Sequence, residues 1–340
     1  MSETLRPSTL GEILDRTAQL YRRNFWLFAG IGALPIGVII ALSALGAGSI
    51  FLVPGIRGGD PESGFLTGLA LVLFLLVALP VYFAAYVFSM GGLTQAAVST
   101  NRGERPTIRA TLKSVTPRFW RYLWYGILQS IVVALIPAAV AGAVCGSLIY
   151  LASLAGGDTA TGVALGFLVF FVAVAAIGVI AWRALGYSIG FAVCVAEQKT
   201  AWESLQRSWK LSQGSRGRIF VLFLLIVALA IAASMIGYIP FIIIVGMAAA
   251  TGNGAQYTTA ALVAEIVNFV VNFTLQALLA PISWIALVLF YYDQRIRKEG
   301  FDIEWMMEQA GLAKVAPAAR APESADISGP AVPPDTVEER

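Results

Sequence analysis

The chain has 340 residues, 58% of them hydrophobic and 13% charged, with a formal net charge of +3. Ordinary soluble domains carry about 25% charged residues, so this composition excludes a soluble globular protein. The positive charge is too small and too dispersed for a nucleic-acid surface, and no basic run is interleaved with aromatics. The absence of histidine removes Ser-His and Cys-His nucleophilic pairs, H-E-x-x-H metal sites and imidazole proton relays.

At the N-terminus Glu3, Glu12 and Asp15 interrupt any signal-peptide pattern. Thr9 and Glu12 have the spacing of a capping box, in which each side chain satisfies the other residue's free N–H. The helix it starts places Leu10, Ile13, Leu14, Thr17, Leu20 and Tyr21 on one face and Glu12, Asp15, Arg16, Gln19, Arg22 and Arg23 on the other. A first apolar span follows from Phe25 to Leu52 and contains Pro35. A second, near Phe65 to Met90, contains Pro80. Each exceeds the roughly 20 residues that cross a bilayer core.

A surface helix then starts at Thr107, with Ile108, Leu112, Val115 and Phe119 opposite Arg109 and Lys113, and Pro117 cuts it short. The third span runs from Tyr122 to Gly157 with Pro137, and the fourth starts after Asp158 and continues to Ala196, interrupted only by Arg183. Thr200 and Glu203 form another capping box. Beyond it Ala201, Trp202, Leu205 and Trp209 oppose Glu203, Gln206, Arg207 and Lys210, and Gly214 and Gly217 are expected to end the helix. The fifth span begins at Ile219 and contains Pro240; after a turn at Thr251 to Gly254, the sixth runs from about Thr258 to Tyr292 with Pro281. Asp302 caps a closing surface helix carrying Ile303, Met306, Met307 and Ala310.

The starts at 9, 107, 200 and 302 lie 98, 93 and 102 residues apart. The expected fold is therefore all-α and polytopic: six transmembrane helices as three repeated hairpins, each preceded by an amphipathic interfacial helix. The units are 8–106, 107–199 and 200–301, closed by 302–312, within a membrane domain of 1–313. Residues 314–340, rich in Ala, Pro, Ser and Glu, are expected to be a disordered cytoplasmic tail. Of the 23 Lys and Arg residues, 21 fall on one side, which puts both termini in the cytoplasm by the positive-inside rule.

Within the sixth span Glu265, Asn268, Asn272, Gln276 and Ser283 form one polar stripe. Such a stripe either fixes helix packing through interhelical hydrogen bonds or lines a path for a polar solute. Arg183 is the other intramembrane charge. It lies ~32 Å along its span at 1.5 Å per residue, a depth suited to snorkelling and poorly matched to Glu265. Ala138, Gly142 and Gly146 make a small-xxx-small ridge that lets another helix approach, within the bundle or between subunits. Cys145 and Cys194 lack metal or disulfide spacing and read as packing residues. In the outer loop Asp60 and Glu62 have no third oxygen ligand in register.

The segments LGEILDRTAQLYRRNF (10–25), SLQRSWKLSQG (204–214) and APISWIALVLFYYDQRIRKEGFDIEWM (280–306) together resemble the bacterial membrane domain of the glycerophosphoryl diester phosphodiesterase membrane-domain family. The resemblance covers roughly 8–312 and implies a polytopic domain of the bacterial cytoplasmic membrane. The phosphodiesterase chemistry of the namesake lies in a separate barrel built on histidines and acidic metal ligands, so no catalytic residue carries over. In the YYDQRIRKEG segment, Tyr291 and Tyr292 are expected to anchor the inner interface. Arg295, Arg297 and Lys298 are expected to meet anionic lipid, with Asp293 paired locally to an arginine. We expect no enzyme, cofactor or metal. The expected role is a membrane scaffold or accessory subunit with a homo-oligomeric or membrane-protein partner, the alternative being a transporter or lipid-handling protein with a path along the sixth helix.

Overall fold

In the computed structural model the described residues are 7–52, 61–154, 159–250 and 254–300. The side chains of Asp60 and Glu62, the turn at 251–253, the closing helix expected at 302–312 and the tail at 314–340 lie outside them. All regular structure among the described residues is helical, and six apolar helical stretches are long enough to cross a membrane. The chain is thus an all-α, multi-pass membrane protein.

The surface helices begin where their caps predict. Thr9 Oγ1 accepts from Glu12 N at 3.3 Å while Glu12 accepts from Thr9 N at 2.8 Å, opening α1 (Leu10–Arg23). The first span is α2 (Phe25–Gly32) followed by α3 (Leu34–Leu52), and the second is α4 (Pro61–Asn101). Thr107 caps α5 (Ile108–Val115) without a reciprocal acid, and a 3-10 turn at Thr116–Arg118, holding Pro117, leads into α6 (Phe119–Ser130). A π turn at Ile131–Leu135 precedes α7 (Ile136–Leu154). Next come α8 (Thr159–Tyr187) and the short α9 (Gly190–Ala196). A second complete capping box at Thr200 opens α10 (Ala201–Ser212), and α11 (Arg216–Gly237), α12 (Ile239–Ala250) and α13 (Gly254–Glu299) finish the described chain.

The prolines of the odd-numbered spans break their helices, because proline removes the N–H that would bond the carbonyl four residues earlier. The breaks fall at Ala33 before Pro35 and at Tyr238 before Pro240, while the π turn lies just before Pro137. Pro80 and Pro281 sit inside continuous helices. At Pro35 the freed carbonyl is that of Ile31, and the buried Ser89 hydroxyl of α4 donates to it at 2.8 Å. Pro281 likewise frees the Ala277 carbonyl, against which Gly32 packs so closely that a Cβ there would stand 2.8 Å from the oxygen. Two proline-disrupted sites therefore meet across α2, α4 and α13.

The core sits at the end of the bundle where the surface helices gather. Its centre is the stretch Ile285–Tyr291 of α13, packed with Phe28 and Ile31 of α2, Leu93 of α4, Val193 of α9 and Leu222 of α11. A neighbouring cluster joins Tyr122 and Tyr125 of α6 to Phe191 and Trp284. With 46 residues α13 is ~69 Å long, more than twice the hydrocarbon thickness, so one helix serves both as span and as core pillar. Away from this core the helices pair off, α3 with α4, α7 with α8 and α12 with α13. There Leu73 and Leu76 of α4 and Phe167 and Phe171 of α8 are exposed.

One expectation is corrected. Gly214 does end α10, in the left-handed conformation (φ +74°), but Gly217 lies in the first turn of α11. The buried face of α10 is also rotated from its apolar one: Ser204, Ser208, Leu211 and Ser212 are buried with Ala201 and Leu205, while Trp202 is exposed. The reason is hydrogen bonding. Ser208 and Ser212 both donate to the Gly186 carbonyl at the end of α8, at 3.1 and 2.9 Å, and Gly186 has no Cβ to hold Trp209 away.

Substituting Ser89→Ala leaves the Ile31 carbonyl buried without a donor, which costs about 1–3 kcal/mol. Thermal unfolding in detergent should show a lower Tm, while Ser99→Ala, a buried serine of the same helix distant from the Pro35 break, serves as the comparison.

Candidate functional site

The end of α13 holds Asp293, the one charged residue buried among the described residues, with buried Gln294 beside it. Its two faces engage different partners because residues four apart share a helical face. On one, the Asp293 carboxylate, with 2% of its side chain exposed, accepts from Ser8 N at 2.8 Å, Arg218 at 3.0 Å and Arg297 Nε at 3.0 Å. Arg218 and Arg297 also both donate to the Ser8 carbonyl. The start of the described chain, the start of α11 and the end of α13 are thereby tied at one carboxylate. Gln294, fully buried, accepts from the Ser215 hydroxyl and donates to Asp293 at 3.1 Å.

On the other face, Tyr291 donates to Glu197 at 2.8 Å, and Glu197 also receives Arg207 Nε at 2.6 Å and pairs with Lys199 at 3.2 Å. Arg207 and Arg295 converge on Glu299. Lys298 reaches across to the carbonyls of Leu211 and Gln213, capping the C-terminus of α10. Burial alone would push the Glu197 carboxyl up, but the hydrogen bonds from Arg207 and Tyr291, the Arg207 charge and Lys199 outweigh it and hold it below the ordinary range. The reading of Tyr291 as an interfacial anchor is corrected, since it is fully buried and bonded to Glu197. Arg297 and Lys298 are exposed and also hydrogen-bond within the protein, and Asp293 pairs with a distant arginine as well as a local one.

Beside α10 lies a different kind of site, a cavity of about 600 Å³. Its apolar wall comprises Val132 from the π turn, Ile136 from α7 and Leu205 from α10. Its polar lining includes Arg183, Gln206, Lys210 and Gln213, and Tyr187, Trp202 and Trp209 complete it. Arg216 stacks over the rings of Trp182 and Trp209, 4.4 and 4.0 Å from their centroids. The Nε atoms of Arg183 and Arg216 are buried without a hydrogen-bond acceptor among the described residues. Sequence reasoning found Arg183 and the tryptophans but not Arg216 or the contribution of the π turn. Only the docking of α10 onto α8 brings these together.

The polar stripe of α13 divides. Asn268 is buried and Asn272 half-buried, with Asn272 Nδ2 donating to the Asn268 carbonyl at 3.1 Å and Oδ1 lying beside Gly237 of α11. Ser283 is half-buried, whereas Glu265 and Gln276 are exposed. The Asn268 amide nitrogen is buried and donates to nothing among the described residues. In α7, Ala138, Gly142 and Gly146 are all exposed, and nothing approaches the Cβ positions of the two glycines within 4 Å. Cys145 and Cys194 are both free, the latter buried in the core.

Residues 191–310 match the family model described as the membrane domain of glycerophosphoryl diester phosphodiesterase. That match takes in the segments at 204–214 and 280–306 and leaves 10–25 outside. It covers both ion-pair clusters and the whole of α13. No curated protein and no solved structure matches the chain.

Asp293→Ala should cost about 2–4 kcal/mol, the low side of the range for breaking a buried pair because Arg218 and Arg297 keep contact with solvent. Chemical unfolding in detergent measures it. Because the Glu197 carboxyl is held low, the stability it lends is complete above the ordinary value of 4.5 and is lost as pH falls through its lowered value. The acid-side fall in Tm should accordingly be shallower in Glu197→Gln than in the parent.

Proposed function

We propose that this multi-pass membrane protein is a scaffold or accessory subunit with no chemistry of its own, seated in the bacterial cytoplasmic membrane with both termini inside. The observation that carries the reading is the bare ridge of Ala138, Gly142 and Gly146 on α7, which the other described residues leave uncovered. In lipid no hydrophobic force joins helices, and small-residue ridges are where backbones approach closely enough for packing to hold them. The carboxylates that could do acid–base work support the same reading. Asp293 and Glu197 are both committed to arginines and to holding elements together. The clustering of Lys and Arg at one end of the bundle supports the orientation.

A second reading, transport or lipid handling along the sixth helix, draws on Asn268, whose buried amide has a donor to offer beside Asn272.

Gly142→Leu combined with Gly146→Leu separates the two. On the first reading the double variant folds, but loses self-association or partner capture in chemical cross-linking of native membranes, with at least a tenfold drop in yield. Glu265→Gln and Asn272→Leu leave that cross-linking intact. Undiminished cross-linking in the glycine double variant sinks the association reading. Altered lipid content of membranes expressing Asn272→Leu would favour the second.

A further inference from the structure

We propose that the cavity between α8, α10 and the π turn binds the headgroup of an anionic phospholipid from the surrounding leaflet, with Arg183 and Lys210 receiving the phosphate. The inference is independent of whether α7 associates with a partner.

The first argument is the charge at the cavity. At this end of the bundle Arg207, Arg218, Arg295 and Arg297 are paired to carboxylates and Lys298 to helix-end carbonyls. The cavity lining holds two cations and no carboxylate. Arg183 Nε is buried with no acceptor among the described residues, and Arg216 beside it has aromatic faces but no acceptor for its own Nε. A buried donor without a partner costs free energy comparable to a lost hydrogen bond, and an anionic oxygen removes that cost with a charge-assisted bond.

The second argument is amphipathicity. Val132, Ile136 and Leu205 give the cavity an apolar wall that free phosphate would not use. Ile136 is itself exposed on the apolar flank of the bundle, as are Val179 and Trp182 of α8, so a lipid chain has a continuous apolar track outward. Tryptophan rings belong at headgroup depth, where one edge is apolar and the other wet. A volume of about 600 Å³ suits a headgroup and the first part of one chain, with the remainder staying in the bilayer. The absence of a carboxylate leaves nothing for the ammonium of a choline headgroup, so the net anionic class is favoured over the zwitterionic one.

The local fold explains why the site is here. Pro137 denies Val133 its helical donor, and the π turn that accommodates this carries Val132 on the cavity wall. Gly186 lets Trp209 settle onto α8, a position any Cβ would block.

The test uses the full chain in a neutral detergent, titrated separately with phosphatidylglycerol, phosphatidylcholine and inorganic phosphate, and followed by thermal unfolding and native mass spectrometry. Phosphatidylglycerol should raise Tm saturably and remain bound, while the other two should not. Arg183→Gln should weaken phosphatidylglycerol about tenfold or more, as expected for loss of a charged hydrogen bond. Lys210→Gln, at the exposed rim, should weaken it severalfold and keeps the test valid if the arginine variant fails to fold. An equal response to phosphatidylcholine, an equal response to phosphate alone, or unchanged affinity in the Lys210 variant would each overturn the assignment.

Discussion

Asp293 is the point on which the architecture closes. A carboxylate this far from solvent is costly unless its lone pairs are filled, and here a backbone N–H, two guanidiniums and a neighbouring amide fill them. Because the donors come from opposite ends of the described chain, satisfying one charge brings Ser8, Arg218 and Arg297 to one place. The result is a polar clamp around the end of a helix whose stretch 285–290 is apolar and buried. Glu197 repeats the device on the other face of the same helix and secures α10.

With the core anchored there, the rest of each hairpin is free to meet lipid. Proline decides where the change occurs. In the first span the helix breaks at Ala33, and the carbonyl so released is taken up by Ser89 rather than left to lipid, where an unsatisfied group would cost several kcal/mol. Gly32 then fits against the carbonyl released by Pro281. Sites that would be defects in an isolated helix become contacts between helices.

The basic residues at this end, which look alike in the chain, divide into two populations. Lys199, Arg207, Arg218, Arg295 and Arg297 are paired to carboxylates within the protein, so a count of positive charge overstates what is available to a membrane surface. Arg183, Lys210 and Arg216, for which no carboxylate partner is present among the described residues, gather around one amphipathic cavity. Local concentration of uncompensated charge beside apolar surface distinguishes a recognition site from a solvated face.

Length, hydropathy and short-range chemistry were enough to read the six spans, the caps at Thr9, Thr107 and Thr200 and the proline breaks, because each rests on residues within about four positions of one another. The rotation of α10 was not legible. Its serines read as polar surface until the Gly186 carbonyl is placed opposite them. Nor could the chain alone tell which of its arginines would be spent, since the partners of Asp293 stand up to 285 residues away. The approach of α13 to α11 has the same origin: Gly237 of α11 leaves room for Leu275, with Asn272 in ordinary contact beside it, a fit held by packing between helices and by nothing within either one.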